Sequence, residues 1–487
     1  MNAKIIGPIL SLFSRPHWTA KVATLIIGGC LSAFFGMPLA AASYNVLKTF
    51  ASPDPNFGTN STGAQPHGGV TLNNGVLYGT TEYGGNGGHG VVFRLDADGT
   101  SFAVLKHFSF DSGSSPIAGV IVDNGVLYGT TDSGGPSGYL SEGTIFKMNI
   151  DGSDYTILKA FTKSAEVRPD AGLILAGGTL YGATLFGGNI GDGAVFRINT
   201  NGTGYSVVAS MNGLHGAYPY GGLAIAEGTV YGTTLQGGGV ADYGVLYRVG
   251  TNGTGYGPVR IFTNIPDGAS PYGALVVSGS TIYGTTLQGG TAGRGTIFKI
   301  ETNGAGYAIL KNFTTNNADG ISPVGGLLLQ GEWLYGTASA GGNANSGTLF
   351  RVRTNGTSYT VLKQFSAAST TLYGTNSDGC YPLGTLVLNC HTLYGATYYG
   401  GNFGYGVVFS LNLAPEISDP YFSQNSFGFN ISGVSNDTVV IEVSTSLTPT
   451  GWSPLQTNSF GPSPFQFVDS ASTNRPGRFY RARSLSL

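Results

Sequence analysis

Residues 325–365 read GGLLLQGEWLYGTASAGGNANSGTLFRVRTNGTSYTVLKQF, and the way this stretch divides decides the fold. Four short runs carry strand character: Gly326 to Gln330, Trp333 to Thr337, Thr348 to Arg353 and Tyr359 to Phe365, here called strands A to D. They are rich in Leu, Val, Tyr and Thr, which suit a pleated, half-buried surface. Between C and D stands Thr354-Asn355-Gly356, where Asn or Gly supplies the positive φ of a tight hairpin. No window shows a helical period of apolar residues.

The same unit recurs along the chain. Leu77-Tyr78-Gly79-Thr80, Leu127-Tyr128-Gly129-Thr130, Leu180-Tyr181-Gly182-Ala183 and Val230-Tyr231-Gly232-Thr233 succeed one another at intervals of 50 to 53 residues. Ile282-Tyr283-Gly284-Thr285, Leu334-Tyr335-Gly336-Thr337 and Leu393-Tyr394-Gly395-Ala396 complete seven copies. A period near 50 built only of strands indicates propeller blades. The ends separate a ring from an open stack. Tyr44 to Phe50 (YNVLKTF) matches strand D with no A, B or C before it, and the last repeat, Gly384 to Leu413, has A, B and C but no D. An orphan D and a missing D predict a ring whose final blade is completed by the N-terminal strand, which removes exposed sheet edges. The expected fold is all-β: a seven-bladed β-propeller over residues 43–414, then a small β-sandwich over 415–487.

The unit, [LVI]-Y-G-[TA] with a Gly-Gly pair after it, then G-[TVA]-x-[FY]-[KR] and Y-x-[VI]-L-K-x-F, resembles the GloVer tandem repeat of exported bacterial proteins. The resemblance covers residues 44–413. It departs where the fourth D strand, Tyr205 to Met211, lacks its Leu-Lys, and where Ser410 replaces the basic residue of strand C. It implies a propeller-type fold and export and carries no activity. Kelch propellers also have a Gly-Gly per blade, but their paired Tyr and Trp are missing here. The segment Gly477-Arg478-Phe479-Tyr480-Arg481 resembles the last strand of fibronectin type III-like modules. Runs Phe427 to Ile431, Val439 to Val443 and Phe465 to Val468, separated by Pro and Gly, fit such a sandwich.

Residues 1–42 read as an export signal: Lys4, Arg15 and Lys21, then the apolar run Val22 to Phe35, then Ala40-Ala41-Ala42 before Ser43. Its basic region is long, so an uncleaved anchor is the alternative. The apolar run continues past Cys30, which argues against a lipid attachment there. No later stretch is long and apolar enough to span a membrane as a helix. The expected location is secreted or cell-surface. Cys380 and Cys390 would then share an oxidising compartment, but the strand expected between them spans roughly 20 Å and keeps them apart. Two free thiols are expected.

Charged residues are 10% of the chain and the formal net charge is −2. Without the leader's three cations it is −5, with no basic run, which excludes nucleic acid as a main partner. Strand A, the strand that lines a propeller's channel, is apolar in every copy. His67, His89, His107, His215 and His391 show no HxH or HExxH spacing. No Gly-x-Ser-x-Gly elbow with partners stands out. No metal site, cofactor site or catalytic set is therefore assigned.

Chemistry is expected on the face carrying the long D–A and B–C loops. Asp54, Glu82, Asp111, Asp132, Glu142, Glu166, Asp170, Asp192, Asp242, Asp267, Asp319 and Asp378 lie there, opposed by Lys163, Arg168 and Arg294. Basic residues repeated in strands C and D, such as Lys48, Arg94, Lys106 and Lys147, read as solvated edge charges. The same loops carry Tyr83, Tyr139, Phe186, Tyr218, Tyr220, Tyr243, Tyr272, Tyr381, Tyr398, Tyr399, Phe403 and Tyr405. Rings beside carboxylates suit a glycan or a protein partner. The candidate binding face is these aromatics with Asp132, Asp192, Asp242, Asp267, Asp319 and Asp378. A Pro precedes every strand A: Pro66, Pro116, Pro169, Pro219, Pro271, Pro323 and Pro382. The Asp-Gly pairs ahead of the last three read as turn supports rather than calcium ligands, since one Asp per loop falls short of a cage. The first expectation is an exported non-enzymatic binding scaffold. The alternatives are a carbohydrate-active enzyme using two acids, for instance Asp242 and Asp267, and a purely structural surface protein. The ligand and the oligomeric state are not legible.

Overall fold

The computed structural model describes residues 44–487 apart from 139–140, 164–166, 316, 370–373, 390, 414, 424–425, 434–436, 446–450, 461–464, 470–477 and 485–487. The leader, Tyr139, Glu166 and Cys390 thus lie outside the described residues. Two compact units emerge, Tyr44–Asn412 and one containing Leu413–Leu487. The described residues are all-β, with single 3-10 turns at Phe110–Ser112 and Asn317–Asp319. None of their helices is long and apolar enough to cross a membrane.

Each repeat folds into one antiparallel sheet in the order A-B-C-D, seven sheets among the described residues. In the sixth the strands are Leu328–Gln330, Trp333–Ala338, Thr348–Arg353 and Thr360–Gln364. In the fifth, Ala269–Pro271 adds a further pairing to strand B. The seventh joins Val387–Asn389, Thr392–Thr397 and Val407–Asn412 to the N-terminal strand Tyr44–Thr49, with Tyr44 opposite Leu411 and Thr49 opposite Val407. Strand A is shorter than expected because the glycines ahead of it approach a neighbouring repeat. A Cβ on Gly68 would meet Gly119 N at 2.1 Å, and one on Gly384 would meet Gly69 N at 2.3 Å.

The Tyr-Gly signature has a steric cause. Its Gly pairs across B and C with an aromatic residue, as Gly284 does with Phe298 and Gly79 with Phe93. The ring lies over the glycine, so that a Cβ there would fall 2.4 to 2.6 Å from a ring atom in all seven repeats. The glycine gives up its side chain and the ring fills the space. That ring then meets the strand-D aromatics: Phe298 lies 5.4 Å from Phe262 and 5.8 Å from Tyr307.

A bulge in the C–D pairing, between Ile297 and Phe298 in the fifth repeat, breaks the two-residue alternation of strand D. Leu310 and Lys311 therefore both serve the next repeat: Leu310 packs with Phe350 and Val352, and Lys311 Nζ lies 4.3 Å from the Tyr359 ring centroid. The arrangement recurs with Lys48 over Phe102 (4.1 Å), Lys106 over Tyr155 (4.3 Å) and Lys159 over Tyr205 (4.4 Å). Arg260 lies over Tyr307 (4.2 Å) and Lys363 over Tyr44 (4.7 Å). The strand-D cations are thus packed against rings between repeats and are not the solvated edge charges expected. Desolvation lowers the pKa of Lys48 and Lys106 accordingly.

The C-terminal unit holds two three-stranded sheets. Ser426–Ser432 pairs with Glu416–Ser423 and Phe465–Asp469, and Thr438–Ser444 pairs with Ser453–Ser459 and Phe479–Ser484. Phe427, Phe429, Ile431, Val439, Ile441, Phe460, Phe467 and Tyr480 share one core. Tyr480 donates a 2.7 Å hydrogen bond to Asp469, which also pairs with Arg478. In the other unit Cys380 is a free, buried thiol, its pKa pushed up to about 12 by burial and by Asp378.

The ring-over-glycine packing predicts that Gly284→Ala destabilises the protein by about 2 kcal/mol, because the Cβ would lie 2.6 Å from Phe298 Cζ. Gly257→Ala, where a Cβ meets nothing within 4 Å, should stay within about 0.5 kcal/mol of the parent. Denaturant titration of both variants checks the difference.

Candidate functional site

The residue before each recurring Pro lies in the left-handed region although it is not glycine: Gln65, Ser115, Arg168, Tyr218, Ser270, Ser322 and Tyr381, with φ between +51° and +61°. Its amide donates to the preceding repeat, as Arg168 N does to Glu142 O at 2.9 Å and Tyr381 N to Ser346 O at 2.9 Å. The Pro then presses on a positive-φ glycine of that repeat. A Cβ on Gly143 would lie 2.7 Å from Pro169 Cδ, and one on Gly406 would lie 2.6 Å from Pro66 Cδ. These locks hold the residue after each Pro in an equivalent place. The seven occupants are His67, Ile117, Asp170, Tyr220, Tyr272, Val324 and Leu383. Beside them run the residues that leave strand B: Glu82, Asp132, Leu185, Leu235, Leu287, Ser339 and Tyr398.

The polar members of the two sets meet. Tyr398 Oη donates to Glu82 Oε2 at 2.7 Å, and the His67 ring stands edge-on to Tyr398 at 5.6 Å. His67 Nδ1 is 3.2 Å from Ile117 O, and burial lowers its pKa, with Glu82 and that carbonyl acting the other way. Arg168 Nε donates to Asp132 Oδ1 at 2.6 Å, and its Nη2 lies 3.3 Å from Asp170 Oδ2. Tyr220 and Tyr272 are 4.4 Å apart, and both phenols are raised in pKa, first by burial and also by Asp170 and Glu82.

Asp170 is the most perturbed acid of the cluster. It is 4% exposed and neither carboxyl oxygen makes a hydrogen bond as a carboxylate. Burial raises its pKa far above the ordinary carboxyl range, helped by Asp132 and Glu82 and opposed by Arg168. Two facing carboxylates have no donor between them; a proton on Asp170 supplies one to Asp132.

The structure brings Tyr83, Asp132, Tyr220, Tyr272, Tyr381, Tyr398 and Tyr399 of the sequence-derived face into this cluster or against it. Tyr83 is raised in pKa by burial and by its bond to Glu82, with smaller effects of Asp132 and Tyr399. Tyr399 stands edge-on to both Tyr398 and Tyr381. Phe186 and Tyr218 pair with each other at 5.4 Å, beneath Arg168 at 5.8 Å from Phe186. The remaining residues do other work. Asp242 Oδ1 accepts from Gly237 N at 2.6 Å within its own loop, and Asp192 O accepts from Tyr218 N. Tyr243 and Tyr405 pack against core clusters, while Phe403 is exposed.

Asp267, Asp319 and Asp378 are tied to the strand D that precedes them: to Arg260 at 2.5 Å, Lys311 at 2.5 Å and Lys363 at 2.6 Å. Asp378 also accepts from Ser366 N, and Asp267 from Thr263 Oγ1. They support their loops, and their charge is met by cations that a count of loop residues alone misses. Glu82, Asp170, Arg168 and His67 were absent from the sequence-derived site. For Glu82, Asp170 and His67 the signal was present: two columns of the repeat, after the Pro and after strand B, are polar in some copies and aliphatic in others.

The repeat has relatives among known proteins. The family model of the Gloeobacter/Verrucomicrobia repeat matches residues 30–242 and 234–427. The chain belongs to that repeat family. No curated protein matches its sequence. Among solved structures, the extracellular domain of a hybrid two-component system from B. thetaiotaomicron is 13% identical at TM-score 0.48, over 80% of this chain and 45% of that one. A GH74 enzyme from Niastella koreensis is 13% identical at TM-score 0.48, over 76% of this chain and 58% of that one. An oligogalacturonate lyase solved with manganese is 10% identical at TM-score 0.46, over 77% and 98%. This Gloeobacter/Verrucomicrobia repeat protein therefore spans about half the length of the first two.

A carboxyl held protonated by the fold has a definite pH signature. The folded state keeps a proton that the unfolded chain releases at about pH 4, so Asp170 costs stability increasingly as pH rises from there towards its raised folded value. Asp170→Asn, which keeps an uncharged donor, should match the parent near pH 4 and exceed it by on the order of 2 kcal/mol at pH 8. Denaturant titrations at several pH values measure the gap; a gap that does not widen with pH overturns the protonated assignment.

Proposed function

We propose that the Tyr44–Asn412 unit is a seven-bladed propeller closed by its N-terminal strand, and that the protein is an exported, non-enzymatic scaffold. On this reading it binds glycan at the centre of its long-loop face. Closure is supported by four contacts between the ends of the repeat array: the sheet shared by Tyr44–Thr49 and Val407–Asn412, the Gly69–Thr385 bridge, the seat of Pro66 on Gly406, and Lys363 over Tyr44. The basic, apolar and small-residue order of residues 1–42 supports export. For the C-terminal unit, a sheet of its first, second and fifth strands facing one of its fourth, third and sixth supports an immunoglobulin- or fibronectin-like sandwich.

The observation that carries the binding reading is the company of half-exposed rings and carboxylates around Glu82. Carboxylate and phenol oxygens accept from sugar hydroxyls, and rings cover apolar sugar faces. The second reading, a carbohydrate-active enzyme, is favoured by the facing Asp132 and Asp170 and moves away from Asp242 and Asp267. Against it stands the burial of both Asp170 oxygens, which leaves that proton no path to a substrate. Asp132 is occupied by Arg168.

Native electrophoresis through gels containing a panel of polysaccharides tests this function. Retardation with polymer length unchanged is the expected result, reduced at least about tenfold in affinity by combining Glu82→Gln with Tyr83→Ala. Shortened polymer would replace the reading with the enzyme, and no retardation across the panel would remove the glycan. Closure is tested separately. Deleting residues 44–50 bares the edge of strand Val407–Asn412, so the truncated chain should melt well below the parent and self-associate. Unchanged melting by calorimetry would rule closure out.

A further inference from the structure

Resting on the glycan reading, the shape of the Glu82 end of the site narrows the ligand. Tyr398 and Tyr399 are consecutive on the chain leaving strand B, and their rings stand 4.6 Å apart at 78°. Tyr381, from the preceding loop, stands 5.7 Å from Tyr399 at 88°. Tyr83 comes directly after Glu82 on the neighbouring repeat. The rings are held by backbone. Tyr398 N donates to Tyr381 O at 3.0 Å, Tyr399 exchanges two bonds with Cys380, and Tyr83 does the same with Ala64. Tyr381 and Tyr83 remain open to solvent, at 39% and 42% exposure. The Glu82 carboxylate is turned to this group by its bond from Tyr398 Oη.

A neutral sugar ring is a chair whose patch of C–H groups stacks on one aromatic face. Rings at right angles can cover such a patch singly but not together. They do surround a compact cation, which is attracted to the face of each ring, and a carboxylate beside them supplies the opposite charge. The nearby Arg168 does not contradict this, because its guanidinium is bonded to Asp132. We infer that Tyr381, Tyr398, Tyr399 and Tyr83 with Glu82 form a cage for an organic ammonium group, and that the glycan bound is one bearing free amines, such as a glucosamine polymer.

The test compares a glucosamine hexamer with an N-acetylglucosamine hexamer by calorimetry at pH 6 and low salt, using the whole purified protein. The amine-bearing hexamer should bind at least about tenfold tighter, and tetramethylammonium chloride should displace it more strongly than sodium chloride at equal ionic strength. Tyr399→Leu should remove the preference and Tyr399→Phe should keep it. Tyr83→Leu, at an exposed position, gives a second variant in case Tyr399→Leu melts early, and should also weaken the preference. Equal affinity for the two hexamers overturns the ammonium cage and leaves the glycan reading standing. Binding of neither hexamer, with no retardation on the polysaccharide panel, overturns both.

Discussion

A sheet of four strands, most of them three to six residues long, cannot bury both of its faces by itself. Everything else in the Tyr44–Asn412 unit derives from the need to bring the next sheet close. Close approach forbids side chains at set positions, which is why glycine recurs where a neighbouring backbone or ring arrives. Gly284 yields to Phe298, Gly143 to Pro169, and Gly384 to Gly69. The same need explains the strand-D bulge. By delivering Leu310 and Lys311 together to the next repeat, it lets one short strand supply both an apolar contact and a cation for the ring of Tyr359. The Tyr hydroxyl then fastens the joint: Tyr359 Oη donates to Asp319 O at 2.6 Å and Tyr307 Oη to Asp267 O at 2.7 Å.

The strands and their period were legible because they depend on local chemistry: β-branched and aromatic runs, Asn-Gly turns and the Tyr-Gly pair. The sixth repeat differs from its expectation by no more than two residues at any strand end. The joints between repeats were less legible. A Lys next to a Leu at the end of an outer strand reads as solvated if strict alternation is assumed, and only the bulge shows that both turn to one neighbour. The two C-terminal strands Glu416–Ser423 and Ser453–Ser459 were missed because polar residues and prolines blur their alternation. In the candidate site, Tyr83, Asp132 and Tyr398 were legible as loop residues of a type suited to binding. The pairing of Tyr398 with Glu82 and of Asp132 with Asp170 joins different repeats, and no spacing within one repeat brings those partners together.

A repeated scaffold separates what must be constant from what is free to vary. The seven pre-proline residues keep a strained positive φ, a cost typical of sites whose surroundings over-determine them. The residue after each Pro carries no such constraint. Ile117, Val324 and Leu383 take the apolar option, whereas His67, Asp170, Tyr220 and Tyr272 take polar ones. Polarity is thus concentrated by substitution at fixed positions rather than by reshaping loops. The burial of Asp170 is a consequence: a position built for an aliphatic side chain now holds a carboxyl, and the carboxyl adapts by keeping its proton.

The third repeat shows the same logic at a joint. Its strand D, Ser206–Ser210, has Ala209 where the other repeats carry Lys or Arg, so this strand brings no cation to Tyr256. Tyr256 keeps the hydroxyl fastening of the other joints, its Oη lying 3.0 Å from both Met211 Sδ and His215 O. The opposing strand-C aromatic is Tyr247 rather than Phe, fully buried and 6.0 Å from Tyr256, with its hydroxyl beside Gly232 and unpartnered. A cation over a ring and a buried phenol set edge-on to one are different solutions to one packing problem. That the apolar contact, here Val208 in place of Leu310, survives in both marks it as the part of the joint that cannot be given up.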